Sequence, residues 1–292
     1  MSEYSFAQID GGKFAVWHAV YAGEDANVQY NWADRVGGLS SSKDGIFILH
    51  DGHPIGGFTL AERKLSHPFM IPPFDDRASF WNLALEYARS VCGAVEISLN
   101  GIPDADADVL ARIPGVEMKW TQRRMLRPTE ACTAQLDSDF TFTPFTERDI
   151  PEVIEVVYEA HSAGYTGSIW GPPGNTEAVI SYRYEAFSKT DTRFISTLAR
   201  HVADGKLAGV CIAGIYPDSS DQFSTIHQVS VRPEYQRRGI ARAMMLHSIN
   251  AASVISPVIT LGVLIGNPAE QLYAQLGFAK GPAYSELTYT NR

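Results

Sequence analysis

The sequence predicts a mixed α/β fold (α+β, built on a mixed sheet) that occurs twice in tandem. Two segments, 46–60 and 197–213, each contain two apolar runs separated by an Asp-Gly pair, the pattern of a β-hairpin. Downstream of the second hairpin, residues 226–245 read as a strand, a tight turn and the start of a helix. These observations predict helices packed on a sheet in each half of the chain.

The features that follow each hairpin recur in the same order. They are a helical pattern, a strand-like run and a helix end broken by Gly before an apolar residue. In the first copy they lie at 81–91, 95–99 and 110–116, and in the second copy at 240–249, 258–264 and 272–278. A polar linker is predicted at 131–139. The predicted domains are therefore 1–130 and 140–292.

Composition narrows the class of protein. The net charge of −9 disfavours a nucleic-acid partner, because phosphate binding needs a basic surface. No run approaches the roughly 20 apolar residues that a membrane span requires, and no signal peptide is expected. The three cysteines, Cys92, Cys132 and Cys211, have neither metal-ligand nor disulfide spacing. We expect a cytoplasmic protein without a metal site.

The segment 226–245 has the properties of an anion site. Val229 and Val231 alternate as in a strand, which Pro233 ends, and a helix begins near Gly239. Free N–H groups converge at a helix N-terminus, and Gly lets a phosphate approach the main chain. The sequence therefore predicts that the start of this helix binds a phosphate-bearing ligand.

The run Gln-Arg-Arg-Gly-Ile-Ala at 236–241, after Val-x-Val-x-Pro-Glu-Tyr, resembles the coenzyme A motif of the GNAT N-acetyltransferase superfamily. The resemblance implies acetyl-CoA as cofactor. It implies that main-chain amides hold the pyrophosphate and that the preceding strand pairs with the pantetheine arm. The cofactor-binding residues predicted from this motif are Val229, Ser230, Val231, Gln236, Arg237, Arg238, Gly239, Ile240, Ala241 and Arg242.

A later segment, 267–278, resembles the family's second motif, Asn followed by an Ala-x-x-x-Tyr helix and Leu-Gly-Phe. By that resemblance Asn267 contacts the pantetheine arm, and Tyr273 stands near the cofactor sulfur as its general acid. The alternative for Tyr273 is a core aromatic residue with a satisfied hydroxyl. The reaction is expected to be direct transfer to an amine, without a Cys nucleophile.

The general base is predicted less directly. In the family, Glu or His often stands on the strand before the Val-x-Val pair, and here His227 lies two residues before Val229. Strand alternation places His227 on the same face as Val229 and Val231. A buried structural histidine is the alternative. Glu159 and His161 are further candidates.

Substrate contacts in this fold come largely from the segment between the first two helices. Here that segment, 161–175, is rich in Gly and Pro and contains Tyr165 and Trp170, which predicts either an aromatic lid or a packed loop. Tyr165, Trp170 and Glu159 are the predicted substrate contacts.

The first copy lacks the motif. No Gly stands where the phosphate turn is expected, and Asp75 and Asp76 would repel a pyrophosphate. Ala111 occupies the position that matches Tyr273. We therefore expect a degenerate copy that binds no coenzyme A and helps to shape the substrate cleft.

The function predicted is acetyl transfer to a primary amine on a small molecule. The alternatives are a protein or peptide N-acetyltransferase, transfer of a longer acyl group, and a catalytically silent acyl-CoA-binding regulatory module. The sequence leaves the amine and the oligomeric state open.

Overall fold

The computed structural model describes residues 3–22, 33, 36, 37, 39, 45–93, 96–217 and 223–290. These residues form two compact units. Unit 1 comprises residues 1–123 and 282–292, and unit 2 comprises residues 124–281. Among the described residues, no helix combines the length and the apolar character needed to cross a membrane.

Unit 1 is a sheet with helices. Its sheet runs in the order β1-β2-β3-β4-β5-β12-β6, where β6 and β12 contribute only their residues within the unit. The helices are α1 (Gly11–Tyr21), α2 (Arg77–Cys92) and α3 (Asp104–Leu110). The strands are β1 (Tyr4–Ile9), β2 (Gly45–His50), β3 (His53–Ala61), β4 (Lys64–Met70), β5 (Glu96–Pro103), β6 (Val116–Pro128) and β12 (Ala279–Thr290).

Unit 2 has the sheet order β6-β11-β10-β9-β8-β7. The strands are β7 (Phe140–Pro144), β8 (Thr197–His201), β9 (Leu207–Gly214), β10 (Ser224–Val231) and β11 (Val258–Leu264). The helices are α4 (Ile150–Ala163), α5 (Tyr165–Trp170), α6 (Thr176–Lys189), α7 (Ile240–Ala252) and α8 (Ala269–Gln275).

The two units repeat the same strand pairing, as the sequence predicts. In each, three antiparallel pairings lead to one parallel pairing of three residues: 64–66 of β4 with 98–100 of β5, and 224–226 of β10 with 259–261 of β11. Both predicted hairpins are confirmed as β2–β3 and β8–β9. The predicted strand at 95–99 corresponds to β5, with Val95 outside the described residues.

The division into units differs from the predicted linker. Unit 2 begins at Arg124, within β6, so residues 131–139 lie inside unit 2. Residues 282–290 of β12 lie in unit 1, where they pair antiparallel with β5. The assignment of a cofactor-binding domain to 140–292 stays a prediction.

Unit 2 buries apolar side chains on both faces of its sheet. On one face, α7 contributes Ile240, Met244 and Ile249 to a cluster with β10 and β11. On the other, α4 and α6 pack on β8 and β9 through Val156, Phe187 and their neighbours. Strand β9 is buried along its whole length, as expected for a central strand covered by helices on both sides.

Candidate cofactor and acceptor site

The first feature of the site is a gap beside β10. Strand β10 pairs with β11 only at 224–226, whereas its pairing with β9 continues to Val231. Among the described residues, nothing pairs with β10 on the β11 side beyond Ile226. A strand edge of this kind can accept an extended ligand through main-chain hydrogen bonds.

The main-chain groups of Val229 and Val231 are directed into this gap. The N–H of Arg232 donates to the Ala208 carbonyl of β9 at 2.8 Å. Because alternate residues of an antiparallel strand turn their main-chain groups to opposite sides, Ser230 also faces β9. Val229 and Val231 therefore face away from β9. In agreement, the side-chain amide of Gln236, which lies beyond the end of β10, donates to the Val231 carbonyl at 3.1 Å.

A run of main-chain N–H groups without acceptors follows β10. Helix α7 begins after Gly239, which adopts a left-handed conformation (φ 74°), and no described side chain caps it. The first main-chain N–H of α7 that has an acceptor is that of Ala243, which donates to the Gly239 carbonyl at 3.0 Å. Within the described part of the chain, none of the amides at 237–242 has a protein acceptor. This end of α7 can therefore bind an anion.

Space for that anion is present at Gly239. A Cβ atom added there would meet no other atom within 4 Å. The two arginines before it differ in their surroundings. Arg237 is exposed, whereas Arg238 donates to Asp137 and Asp139 at 2.7 and 2.6 Å. The positive charge predicted for the motif is thus largely compensated at Arg238.

Tyr273 of α8 lies on the α7 side of the sheet. It packs against the cluster that contains Ile240 and Cys211, and Cys211 is the β9 partner of Val229. Burial raises the pKa of Tyr273 to about 12, with a smaller contribution from Cys211. The phenol is therefore protonated at neutral pH. No hydrogen bond from its hydroxyl to the described residues is present.

Asn267 stabilises the start of α8. Its side-chain oxygen accepts a hydrogen bond from the Ala269 N–H at 2.9 Å. The side-chain NH2 group is therefore the part of Asn267 that is left to contact a ligand. Its predicted contact with pantetheine stays a prediction.

The expected strand face of His227 is wrong. The register of β10 against β9 shifts between Ile226 and Gln228, a β-bulge that contains His227. Its ring lies 5.8 Å from Phe187 and 4.7 Å from Tyr216, measured between ring centroids. His227 thus faces α6, whereas Val229 and Val231 pack on the α7 side.

His227 is neutral in this environment. Burial, with smaller contributions from Arg183 and Arg124, lowers the pKa of His227 to about 3. Its Nε2 is buried with no hydrogen-bond partner in the part of the chain that the structure describes, and its Nδ1 lies 3.5 Å from the Tyr216 hydroxyl. These properties fit the alternative of a buried histidine better than that of a base at neutral pH.

The predicted substrate contacts lie on α4 (Glu159) and α5 (Tyr165 and Trp170). Glu159 accepts from Arg232 at 2.5 Å and is therefore held in an ion pair. The Tyr165 hydroxyl donates to the Ile265 carbonyl at 2.9 Å, and Trp170 is 45% exposed. The predicted loop at 161–175 contains a short helix, α5.

Sequence reasoning missed Arg183 and Tyr216. Arg183 lies on α6 and Tyr216 follows β9, and both interact with His227 only because the bulge turns the imidazole toward them. No spacing in the sequence indicates this cluster.

The first copy differs at the matching position. Helix α2 is capped by Asp76, whose carboxylate accepts from the Ser79 main chain. A cavity of about 310 Å³ lies nearby in unit 1, with Phe69, Phe74 and Arg77 in its lining. Arg77 forms an ion pair with the buried Asp106 at 2.6 Å. At the start of α2, the Asp76 carboxylate thus accepts the hydrogen bond that a bound anion would otherwise accept.

Solved structures of acetyltransferases share this fold. A GCN5-related N-acetyltransferase from Sphaerobacter thermophilus superposes with a TM-score of 0.69 and 17% identity, covering 98% of this chain and 95% of that chain. A tandem GNAT protein from the clavulanic acid biosynthesis pathway gives 0.55 and 15%, covering 99% and 98%. A GNAT-family acetyltransferase from Colwellia psychrerythraea gives 0.55 and 13%, covering 98% and 100%. No curated protein sequence is significantly similar to the chain.

Fold and neighbours together define a protein with two tandem GNAT-like copies. Residues 154–278 match the acetyltransferase (GNAT) family. The second copy therefore contains a GNAT domain, which confirms the resemblance drawn from the motif at 236–241.

Proposed function

We propose that the protein is an acetyl-CoA-dependent N-acetyltransferase that transfers acetyl directly to a primary amine on a small molecule. The single observation that supports this most is the run of unpaired amides at 237–242 beside the open edge of β10. Such amides bind a diphosphate, and the strand edge accepts the amide groups of a pantetheine arm.

The residues present fit this cofactor. The amides at 237–242 would hold the pyrophosphate, and Gly239 leaves room for it. Val229 and Val231 would pair with the arm through their main-chain groups, and the Asn267 amide could donate to it. Bound acetyl-CoA would supply the acetyl group as a reactive thioester.

We assign different roles to the side chains on the two faces of the sheet at β10. On the α7 side, the Tyr273 hydroxyl holds its proton at neutral pH and can donate it to the departing sulfur. On the α6 side, the packed rings of His227 and Tyr216 form a surface against which the amine that accepts the acetyl group could be positioned. We assign His227 no proton transfer, because its imidazole is a weak base here.

A catalytically silent acyl-CoA-binding module is the second candidate. It is favoured by the weak basicity of His227 and by the ion pair that holds Glu159. Tyr273, with a protonated hydroxyl lacking a partner in the described residues, favours catalysis instead. Acetylation of a protein or peptide, and transfer of a longer acyl group, remain alternatives for the same site.

Cofactor binding can be tested by calorimetry and thermal melting. We expect one acetyl-CoA per chain, since Asp76 caps the matching helix of the first copy. At 100 times Kd, ligand should add about 2.7 kcal/mol, or about 5–10 °C in Tm. Two acetyl-CoA molecules per chain would contradict the single site, and no binding would overturn the enzyme proposal.

Catalysis is tested by release of free thiol from acetyl-CoA over a panel of small amines, with a peptide panel alongside. Thiol release that depends on a small amine supports the proposal. Binding of acetyl-CoA with no acetylation of any amine or peptide supports the silent module. Competition with longer acyl-CoA thioesters reports the acyl group preferred. We further propose a cytoplasmic location, in line with three unpaired cysteines.

A further inference from the structure

A cationic cluster lies on the α6 side of β10. It consists of Arg183, Tyr216 and His227, with Arg124 close enough to lower the pKa of His227. The Arg183 guanidinium interacts with the Tyr216 hydroxyl, and burial lowers the pKa of Arg183. We call these four residues the acceptor cluster, because His227 lies two residues before Val229, whose main chain would pair with the pantetheine arm.

Among the described residues, no anion compensates the positive charge of the acceptor cluster. In the described parts of the chain, neither Arg183 nor Arg124 forms an ion pair, and no carboxylate contributes to the pKa shift of Arg183 or His227. By contrast, two arginines of the same unit do have carboxylate partners: Arg200 with Asp149 and Glu152, and Arg232 with Glu159. A desolvated guanidinium is costly unless an anion pairs with it.

The cluster also has hydrogen-bonding capacity to spare. Arg183 Nη1 and His227 Nε2 are both buried and have no hydrogen-bond partner among the described residues. Phe187 and Tyr182 pack against the rings of His227 and Tyr216, so the unpaired groups sit in aromatic surroundings. In such surroundings a charged hydrogen bond is stronger than at an exposed surface.

From this arrangement we propose that the acceptor amine carries a carboxylate, which Arg183 binds with help from the Tyr216 hydroxyl and His227. The substrate class is thus an amino acid or a related amino-carboxylate, bound with its amine toward Val229. This inference rests on the proposed acetyl transfer and names its acceptor.

Paired acceptors test the proposal. Each α-, β- and γ-amino acid is compared with its own amide, which keeps the amine and removes the negative charge. We expect at least one acid form to have a higher kcat/KM than its amide. Replacing Arg183 in an Arg183→Gln variant should lower kcat/KM for that acid by about 10- to 100-fold, the loss expected for a hydrogen bond between charged groups. The amide should be affected far less.

Lys189→Gln is the matched control, because it removes a positive charge from the exposed end of the same helix. It should leave the preference for the acid unchanged. Acetyl-CoA affinity and Tm identify variants that are misfolded, and Tyr216→Phe provides a second, smaller change that should also reduce the preference.

Two results would overturn this inference while leaving the proposed function in place. One is a panel in which no acid form exceeds its amide although acetyl-CoA binds. The other is an acid preference that Arg183→Gln and Tyr216→Phe leave unaltered. Failure of acetyl-CoA to bind would instead overturn the proposed function.

Discussion

The Asp76 carboxylate accepts a hydrogen bond from the main-chain N–H of Ser79 at 3.0 Å, and so caps helix α2 with the protein's own negative charge. The matching helix of the second copy, α7, begins after Gly239, and no side chain of the described residues caps it. The same strand–turn–helix connection thus has two outcomes. At the start of α2, the protein's own carboxylate accepts a hydrogen bond from the main chain. At the start of α7, the N–H groups are left for an external anion.

An acidic residue at Gly239 should prevent cofactor binding. We expect Gly239→Asp to weaken acetyl-CoA binding by more than about 10-fold, because its carboxylate would repel the pyrophosphate. Gly239→Asn is the matched control, since Asn has the same shape and tolerates the left-handed conformation. Calorimetric Kd values that are equal for the two variants would show that charge at this position does not matter.

Loss of the Tyr273 hydroxyl should slow acetyl transfer. Tyr273→Phe is expected to lower kcat by about 10²–10⁴-fold if chemistry limits turnover, while the Kd for acetyl-CoA stays the same. Tyr158→Phe, on the exposed side of α4, is the control for removing a phenol. Turnover by Tyr273→Phe close to that of the wild type would exclude Tyr273 as the proton donor.

The buried His227 should make stability fall in acid. Its pKa is about 3 in the folded protein against 6.5 as reference, so between these values the unfolded chain binds more protons. The free energy of unfolding therefore falls as pH drops below 6.5, by at most about 1.4 kcal/mol per pH unit from this group. His247 adds to the trend in the same direction.

Urea unfolding of wild type and His227→Gln at pH 7.5 and 5 measures this contribution. The variant should lose less stability between the two pH values. Parallel losses in both proteins would show that His227 is protonated in the folded state, contrary to its position in the structure.

Loss of Arg232 should lower the free energy of unfolding more than loss of its exposed partner Glu155. Its side chain is 5% exposed and donates to the Leu207 carbonyl at 2.9 Å as well as to Glu159. We expect Arg232→Gln to lower the free energy of unfolding by about 1.5–3 kcal/mol. Glu155→Gln, which removes an exposed partner at 3.4 Å, should cost less than about 1 kcal/mol. Similar urea midpoints for both variants would contradict this ranking.

The sequence predicted those features that depend on neighbouring residues. The hairpin at 46–60 follows from Asp51 and Gly52, which both adopt positive φ in the structure, as a two-residue turn requires. The start of α7 follows from Pro233 and Gly239. Strand alternation and turn residues are local signals, so they are readable without a structure.

Features set by residues far apart in the chain could not be predicted. The bulge in β10 reverses the expected face of His227, and a bulge adds one residue without a sequence mark of its own. Arg238 is neutralised by Asp137 and Asp139, about a hundred positions earlier. The acceptor cluster depends on Arg183, which the helical pattern alone does not connect to β10.

The location of 282–290 in unit 1 bears on how the chain can be divided for experiments. A fragment that stops before residue 282 would strip β5 of its antiparallel partner and leave an unprotected edge of apolar strand, including Ile97 and Leu99. Such fragments of the first copy should precipitate unless the tail is supplied as a peptide or joined through a new loop. Residues 282–290 are therefore a structural part of the first copy, although the whole of the second copy lies between them and the rest of it in sequence.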